Sequence, residues 1–213
     1  MAEPARPAEC PRCAAPLTSA LLCEACGALL EPQGAPTPFE VFGLAPAHAL
    51  DLAALRKRLL RLSRGMHPDY FASADAPTRA LAEHNSARLN AAFELLSDEA
   101  ARASWLIDAW GGPSETQERA MPQEFLLEVL DWNEQLEAAR ENQADAAALA
   151  RLAPLEAELR QRRAAQLARV AAALGAPQPA ASAERLAARR ALNAVRYVDR
   201  ALGELSELKL ARA

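Results

Sequence analysis

The chain has 213 residues, 24 basic and 28 acidic side chains, a formal net charge of −4 and 51% hydrophobic residues. Alanine and leucine supply 53 and 33 positions, against five valines, one isoleucine and four threonines. β-Branched and aromatic residues fill strands while Ala and Leu favour helices, so a large sheet is excluded and an all-α chain is expected. The length admits one large domain or two to three small ones. No run approaches the roughly 20 apolar residues of a membrane span, and the near-neutral balance gives no reason to expect nucleic-acid or membrane binding. The opening residues, Met1-Ala-Glu-Pro-Ala-Arg, resemble neither a secretory nor an organelle leader, so a cytoplasmic location is expected.

All four cysteines lie in the first 26 residues, as Cys10-Pro-Arg-Cys13 and Cys23-Glu-Ala-Cys26, with Gly27 suited to a turn of positive φ. Two C-x-x-C pairs at this spacing match the ligand set of a tetrahedral four-thiolate site. A segment of about 35 residues cannot bury enough surface to fold alone, so a staple is expected. Structural zinc is the expected metal, with disulfides or a rubredoxin-like iron as the alternatives. A closed four-thiolate site has no open coordination position and argues against metal catalysis. The stretch Glu31-Pro-Gln-Gly-Ala-Pro-Thr-Pro38 reads as a linker, and Gly111-Gly112-Pro113-Ser114 as a second boundary. The expected segments are therefore 1–36, 37–112 and 113–213.

Between the boundaries, Phe39-Glu-Val-Phe-Gly43 reads as a short apolar turn. Asp51 is the expected N-cap of a helix running to about Gly65. Leu52, Leu55, Leu59, Leu62 and Met66 fall within about 80° of one another and form its buried stripe. Lys57, Arg61 and Arg64 lie opposite, flanked by Arg56 and Arg58. Such a face is either simply solvated or meets a negatively charged partner. His67-Pro68-Asp69 follows, held at the helix exit because Pro68 cannot continue the helix. A second helix, about Arg79 to Leu96, packs antiparallel to the first, with residues 67–78 as the hairpin tip. Ser97 or Asp98 caps a further helix carrying Trp105, Leu106 and Ile107. On these residues alone His67 could merely cap a helix end. No nucleophile, phosphate loop or second carboxylate supports a catalytic role for His67 and Asp69, and no enzyme activity is expected. His48 and His84 read as ordinary surface or helix-flank residues.

The C-terminal segment reads as three helices, at about 122–141, 145–174 and 182–211, with Pro154 starting or kinking the middle one. Short connections argue for an antiparallel bundle. In the first, Phe125, Val129, Trp132 and Leu136 form the core stripe. Leu126, Leu127 and Leu130 point elsewhere, with Asp131, Glu134 and Glu137 on or beside that side. They form either an exposed apolar patch rimmed with charge, which marks a binding surface, or a face buried by a neighbouring helix. In the last helix Ala191, Val195, Val198 and Leu202 face the core, and Tyr197 lies about 120° away.

The basic helix, the HPD tripeptide in a helical hairpin and the antiparallel partner helix resemble a J-domain, the module that docks onto Hsp70 chaperones. The wider pattern is similar to the HscB family, the J-proteins of iron–sulfur cluster assembly. It comprises Phe39-x-x-Phe-Gly-Leu44, His67-Pro-Asp-x-Phe71, Asn90-Ala-Ala-Phe93, Arg102-x-x-Trp105-Leu, Phe125-Leu-Leu-Glu128 and Arg196-Tyr197-x-Asp199. The resemblance implies a J-domain hairpin followed by a three-helix bundle, preceded here by a four-cysteine segment like that of eukaryotic members. It implies a co-chaperone that delivers an IscU-type iron–sulfur scaffold to an Hsp70 (HscA- or DnaK-like) and stimulates its ATPase. A general J-protein serving other clients is the alternative. His67, Pro68, Asp69, Lys57, Arg61 and Arg64 would meet the Hsp70. Leu126, Leu127, Leu130, Asp131, Glu134 and Tyr197 would hold the scaffold. Tyr70 stands where many J-domains carry Lys or Arg, and Ala138 falls on a position that is acidic in the family.

Overall fold

The computed structural model describes residues 9–141, 152–175 and 179–211; their regular elements are all helices, and no strand occurs among them. The expected helix at 145–174 is described only from its later part, because residues 145–151 lie outside the described residues. The chain divides into two compact units, 1–102 and 103–213.

In the first unit, residues 9–30 form two successive turns of like design, closed by isolated antiparallel bridges between Glu9 and Pro16 and between Leu22 and Leu29. A single helical turn follows, α1 (Pro38–Val41), fixed by a capping box in which Thr37 and Glu40 satisfy each other's backbone N–H groups. Gly43 ends it at φ +64°. A Cβ there would lie 1.8 Å from the Thr18 carbonyl oxygen, so only glycine lets the four-cysteine segment approach.

Helix α2 (Leu52–Met66) starts where Asp51 Oδ1 accepts the Ala54 N–H at 3.0 Å, and Pro68 stops it. A 3₁₀ turn (Pro68–Phe71) leads towards α3 (Ala76–Ser97), which Asp75 caps through the Thr78 N–H. Pro77, in the first turn, moves the start three residues ahead of the expected Arg79. Leu55, Leu62 and Met66 of α2, Leu89, Ala92 and Leu96 of α3, and Phe39 and Phe42 are all buried where α1 and α2 pack against α3. Leu52 departs from the expected stripe. It is 47% exposed, because it opens the helix before the packed turns begin.

Asp98 caps α4 (Glu99–Ala109) by accepting the Ala101 N–H. The buried Arg102 donates to the carbonyls of His48 and Leu96, satisfying loop and helix-end acceptors with one planar group. His48 is thereby drawn into the core, in place of the ordinary surface or helix-flank position expected of it. It is 5% exposed, and burial together with the Arg102 charge holds its imidazole below the usual histidine range, against the pull of Glu99 at 3.9 Å. A folded value below the unfolded one means the unfolded chain binds the extra proton. This contribution is present above the unfolded value of about 6.5 and is lost as pH falls through the folded value. Thermal unfolding at pH 7 and pH 5 should therefore show a smaller acid destabilisation in His48→Gln than in the unaltered protein. An equal loss in both would show that His48 is not responsible.

In the second unit, α5 (Gln123–Glu141), α6 (Ala153–Ala173) and α7 (Ser182–Leu210) form an up-down-up bundle. Pro154 sits in the first turn of the described α6, where its missing N–H costs nothing. Trp132, Leu136 and Ala139 of α5 pack with Leu155 and Leu159 of α6 and Val198, Ala201, Leu205 and Leu208 of α7. Phe125 and Val129 complete that face while only partly buried. Glu156–Lys209 and Arg163–Asp199 pair α6 with α7 in antiparallel register. Arg189, 3% exposed, donates to Pro113 O, Ser104 Oγ and Asp108 Oδ1, so the connection ahead of α5 is fastened to α7.

Candidate metal centre and docking surfaces

The two cysteine turns repeat one hydrogen-bond pattern. The Cys10 N–H donates to Ala15 O and the Ala14 N–H to Cys10 O; the Cys23 N–H donates to Ala28 O and the Gly27 N–H to Cys23 O, all at 2.8–2.9 Å. Ala14 and Gly27 occupy equivalent left-handed positions, at φ 57° and 69°. The repeat aims both thiol pairs at one point, and the four sulfurs all lie within 4.8 Å of one another. Cys10–Cys26 are 3.8 Å apart and Cys13–Cys23 3.7 Å. A tetrahedron with metal–sulfur bonds of about 2.3 Å has edges of about 3.8 Å, so the set fits a four-thiolate metal ion. The Cys26 N–H draws the Cys23 thiol down to about 7. At Cys13 the pull of the Ala15 N–H is outweighed, chiefly by the Cys26 thiol, and the group is pushed up to about 12. Protons are thus shared unequally among sulfurs that a bound cation would hold as thiolates.

This segment is packed on the hairpin. Asn85, fully buried on the apolar stripe of α3, donates through Nδ2 to Leu21 O at 3.1 Å and Leu30 O at 2.9 Å. Ser19 Oγ donates to Val41 O at 2.8 Å. Leu22 lies over Gly65, where a Cβ would meet it at 2.6 Å. Arg58 is turned into this contact: Nε donates to Phe42 O at 2.6 Å and Nη2 to Thr18 O at 2.5 Å, with Glu24 at 3.1 Å. The helical wheel did not single out Asn85, Arg58 or Glu24. Asn85 stands one turn before Leu89, Ala92 and Leu96 on the buried face of α3, and an amide at such a position must find partners.

On the hairpin, Lys57, Arg61 and Arg64 are all exposed along α2. Lys57 and Arg64 have no ion-pair partner among the described residues, whereas Arg61 Nε lies 2.7 Å from Glu24 Oε1. His67 Nδ1 accepts the Asp69 N–H at 3.3 Å and so caps the 3₁₀ turn. The His67 side chain nevertheless stays half-exposed, with Asp69 and Tyr70 almost wholly in solvent. The Tyr70 ring meets His67 edge-on at 6.4 Å.

On the bundle, Leu126, Leu127 and Leu130 are 40%, 59% and 57% exposed, so no neighbouring helix buries them. Asp131 and Glu134 are exposed beside them. Tyr197 meets Phe125 edge-on at 5.8 Å, and Phe125 meets Trp132 in the same way. The Tyr197 ring is thus held against the half-buried end of the core stripe with 40% of its surface open.

A family model described as the HSCB C-terminal oligomerisation domain matches residues 121–206, the bundle. The co-chaperone protein HscB homolog of Pasteurella multocida is 33% identical over 143 residues, covering 66% of this chain and 81% of the relative. The chain belongs to the HscB co-chaperone family. Another HscB homolog, from Bordetella avium, is 36% identical over 112 residues, 52% of this chain and 67% of that relative. The match to the HscB homolog of Mannheimia succiniciproducens spans 62% of that relative. Chaperone HscB from Vibrio cholerae superposes with a TM-score of 0.67 at 25% identity, covering 84% of this chain and all of that one. The crystal structure of human co-chaperone protein HscB shares the fold at 23% identity, with a TM-score of 0.72 and 96% of this chain covered. The HscB family is one of chaperone components, not enzymes.

Proposed function

We propose that this HscB-family chain is a two-handled adaptor: the hairpin docks on an Hsp70 and stimulates its ATPase, while α5 and Tyr197 hold an IscU-type iron–sulfur scaffold. The observation that carries the reading is the division of labour on α5. Phe125, Trp132 and Leu136 face the core, which leaves three leucines in solvent beside carboxylates. Soluble proteins seldom expose contiguous apolar surface without a partner for it. The acidic rim selects a basic partner surface.

His67, Pro68 and Asp69 stand at the hairpin tip next to a cationic helix face, a shape and charge suited to an acidic chaperone surface. ATP hydrolysis is the partner's chemistry. The hairpin contributes by binding one conformational state of the Hsp70 more tightly than another, which shifts that equilibrium. The three segments 1–36, 37–112 and 113–213 serve as metal module, Hsp70 handle and scaffold handle. Zinc is the metal assigned to Cys10, Cys13, Cys23 and Cys26, because it favours closed tetrahedral thiolate sites. The proposed setting is the cytoplasm. No described helix is long and apolar enough to cross a membrane.

Sedimentation of the purified chain with an iron–sulfur scaffold and an Hsp70 tests the adaptor reading. One complex containing all three proteins is expected. Displacement of the scaffold by the Hsp70 would reject separate handles.

A further inference from the structure

We infer that Glu24 is an internal competitor for the basic face of α2, so that the four-cysteine segment sets how strongly this helix binds an acidic Hsp70 surface. The inference rests on the Hsp70-docking role proposed for α2. Glu24 stands inside the second cysteine turn, between Cys23 and Cys26, and is held there on every side. The turn is closed by its own backbone hydrogen bonds, and the segment is clamped to α3 by Asn85. The carboxylate itself accepts the Thr18 hydroxyl at 2.5 Å. It reaches two guanidiniums, Arg58 at 3.1 Å and Arg61 at 2.7 Å.

The two arginines differ in what they can offer a partner. Arg58 has a side chain 18% exposed and already donates to two carbonyls, so it belongs to the fold. Arg61 is 58% exposed and has no other described partner, so it belongs to the outer face with Lys57 and Arg64. A carboxylate approaching Arg61 from outside therefore meets a group already paired, and it also meets the negative charge of Glu24. Like charge at an interface opposes docking, and a half-exposed pair must be shared or broken. Because Glu24 is fixed by the cysteine turn, an ordered metal site keeps the competitor in place.

The test uses the full chain carrying one zinc per chain, with calorimetric Hsp70 affinities at low salt for Glu24→Gln, Arg61→Ala and the double variant. Glu24→Gln should bind about two- to fivefold more tightly, the range expected from releasing one partly exposed ion pair. The gain should vanish in the Arg61→Ala background and in high salt, where such contacts are screened. Glu24→Asp, which withdraws the carboxylate by one methylene but keeps its charge, should give a smaller gain, and it stands in if Gln lowers the zinc content. Unchanged or weaker binding by both Glu24 variants, while Lys57→Ala or Arg64→Ala still weakens it, would overturn the inference and leave the docking role intact. If Lys57→Ala, Arg61→Ala and Arg64→Ala all leave the affinity unchanged, the docking role itself is wrong.

Discussion

His67→Gln is expected to remove stimulation of single-turnover Hsp70 ATP hydrolysis, a loss of at least about tenfold in stimulated rate. That corresponds to about 1.4 kcal/mol of lost preference for the responsive state. The imidazole fixes the tip by accepting the Asp69 N–H, and it leaves its other edge open beside Asp69 and Tyr70. Glutamine keeps a polar group but loses the ring that Tyr70 meets and the rigid placement of the acceptor. The residue is half-exposed and packs nothing in the core, so the melting temperature should not move. Scaffold affinity should also be unchanged, because the substitution lies outside the bundle. Equal stimulation by the variant would reject the assignment of the tripeptide.

Joint replacement of Leu126, Leu127 and Leu130 by Ser is expected to weaken scaffold binding by about a hundredfold. Covering a leucine side chain fully is worth about 1.5–3 kcal/mol, so three leucines with about half of their surface still open contribute about 2–5 kcal/mol, a range that contains the roughly 2.8 kcal/mol this factor requires. The bundle should tolerate the change. The leucines are 40–59% exposed, and the core is filled by Trp132, Leu136 and their partners from α6 and α7. Exposed substitutions of this kind typically shift stability by no more than about 0.5 kcal/mol each. Calorimetry with an apo-scaffold gives the affinity, and thermal unfolding checks the fold. Unchanged affinity would remove the scaffold-binding role of the ridge.

Much of this was legible in the chain because it is written in local patterns. The α5 periodicity separated Phe125, Trp132 and Leu136 from Leu126, Leu127 and Leu130, and the structure puts the first group inward and the second outward. Asp51 and Asp98 cap where a short carboxylate precedes a helical pattern. The spacing of the two C-x-x-C pairs predicts four sulfurs at one point, and all four lie within 4.8 Å of one another.

Long-range partnerships were not legible. Nothing local in Asn85 says that it will reach the carbonyls of Leu21 and Leu30, some 55 to 64 residues away. For the same reason Arg58 read as one more surface cation, and His48 as a flank residue, until Phe42, Thr18 and Arg102 supplied their surroundings. Arg189 sits on a helix rich in arginine, and only the fold singles it out as the one that binds Pro113, Ser104 and Asp108. Amphipathic periodicity fixes which face turns inward, whereas the choice among chemically equal side chains depends on distant backbone groups.

The most direct measurement is single-turnover Hsp70 ATP hydrolysis with this chain present, with and without saturating scaffold. It should compare the unaltered protein with the variant carrying Ser at 126, 127 and 130. The scaffold should add a further increase to the rate with the unaltered protein. The leucine variant should keep the scaffold-free stimulation and lose the added increase. An increase that survives in that variant, or scaffold-free stimulation lost along with it, would contradict two separable handles on one chain.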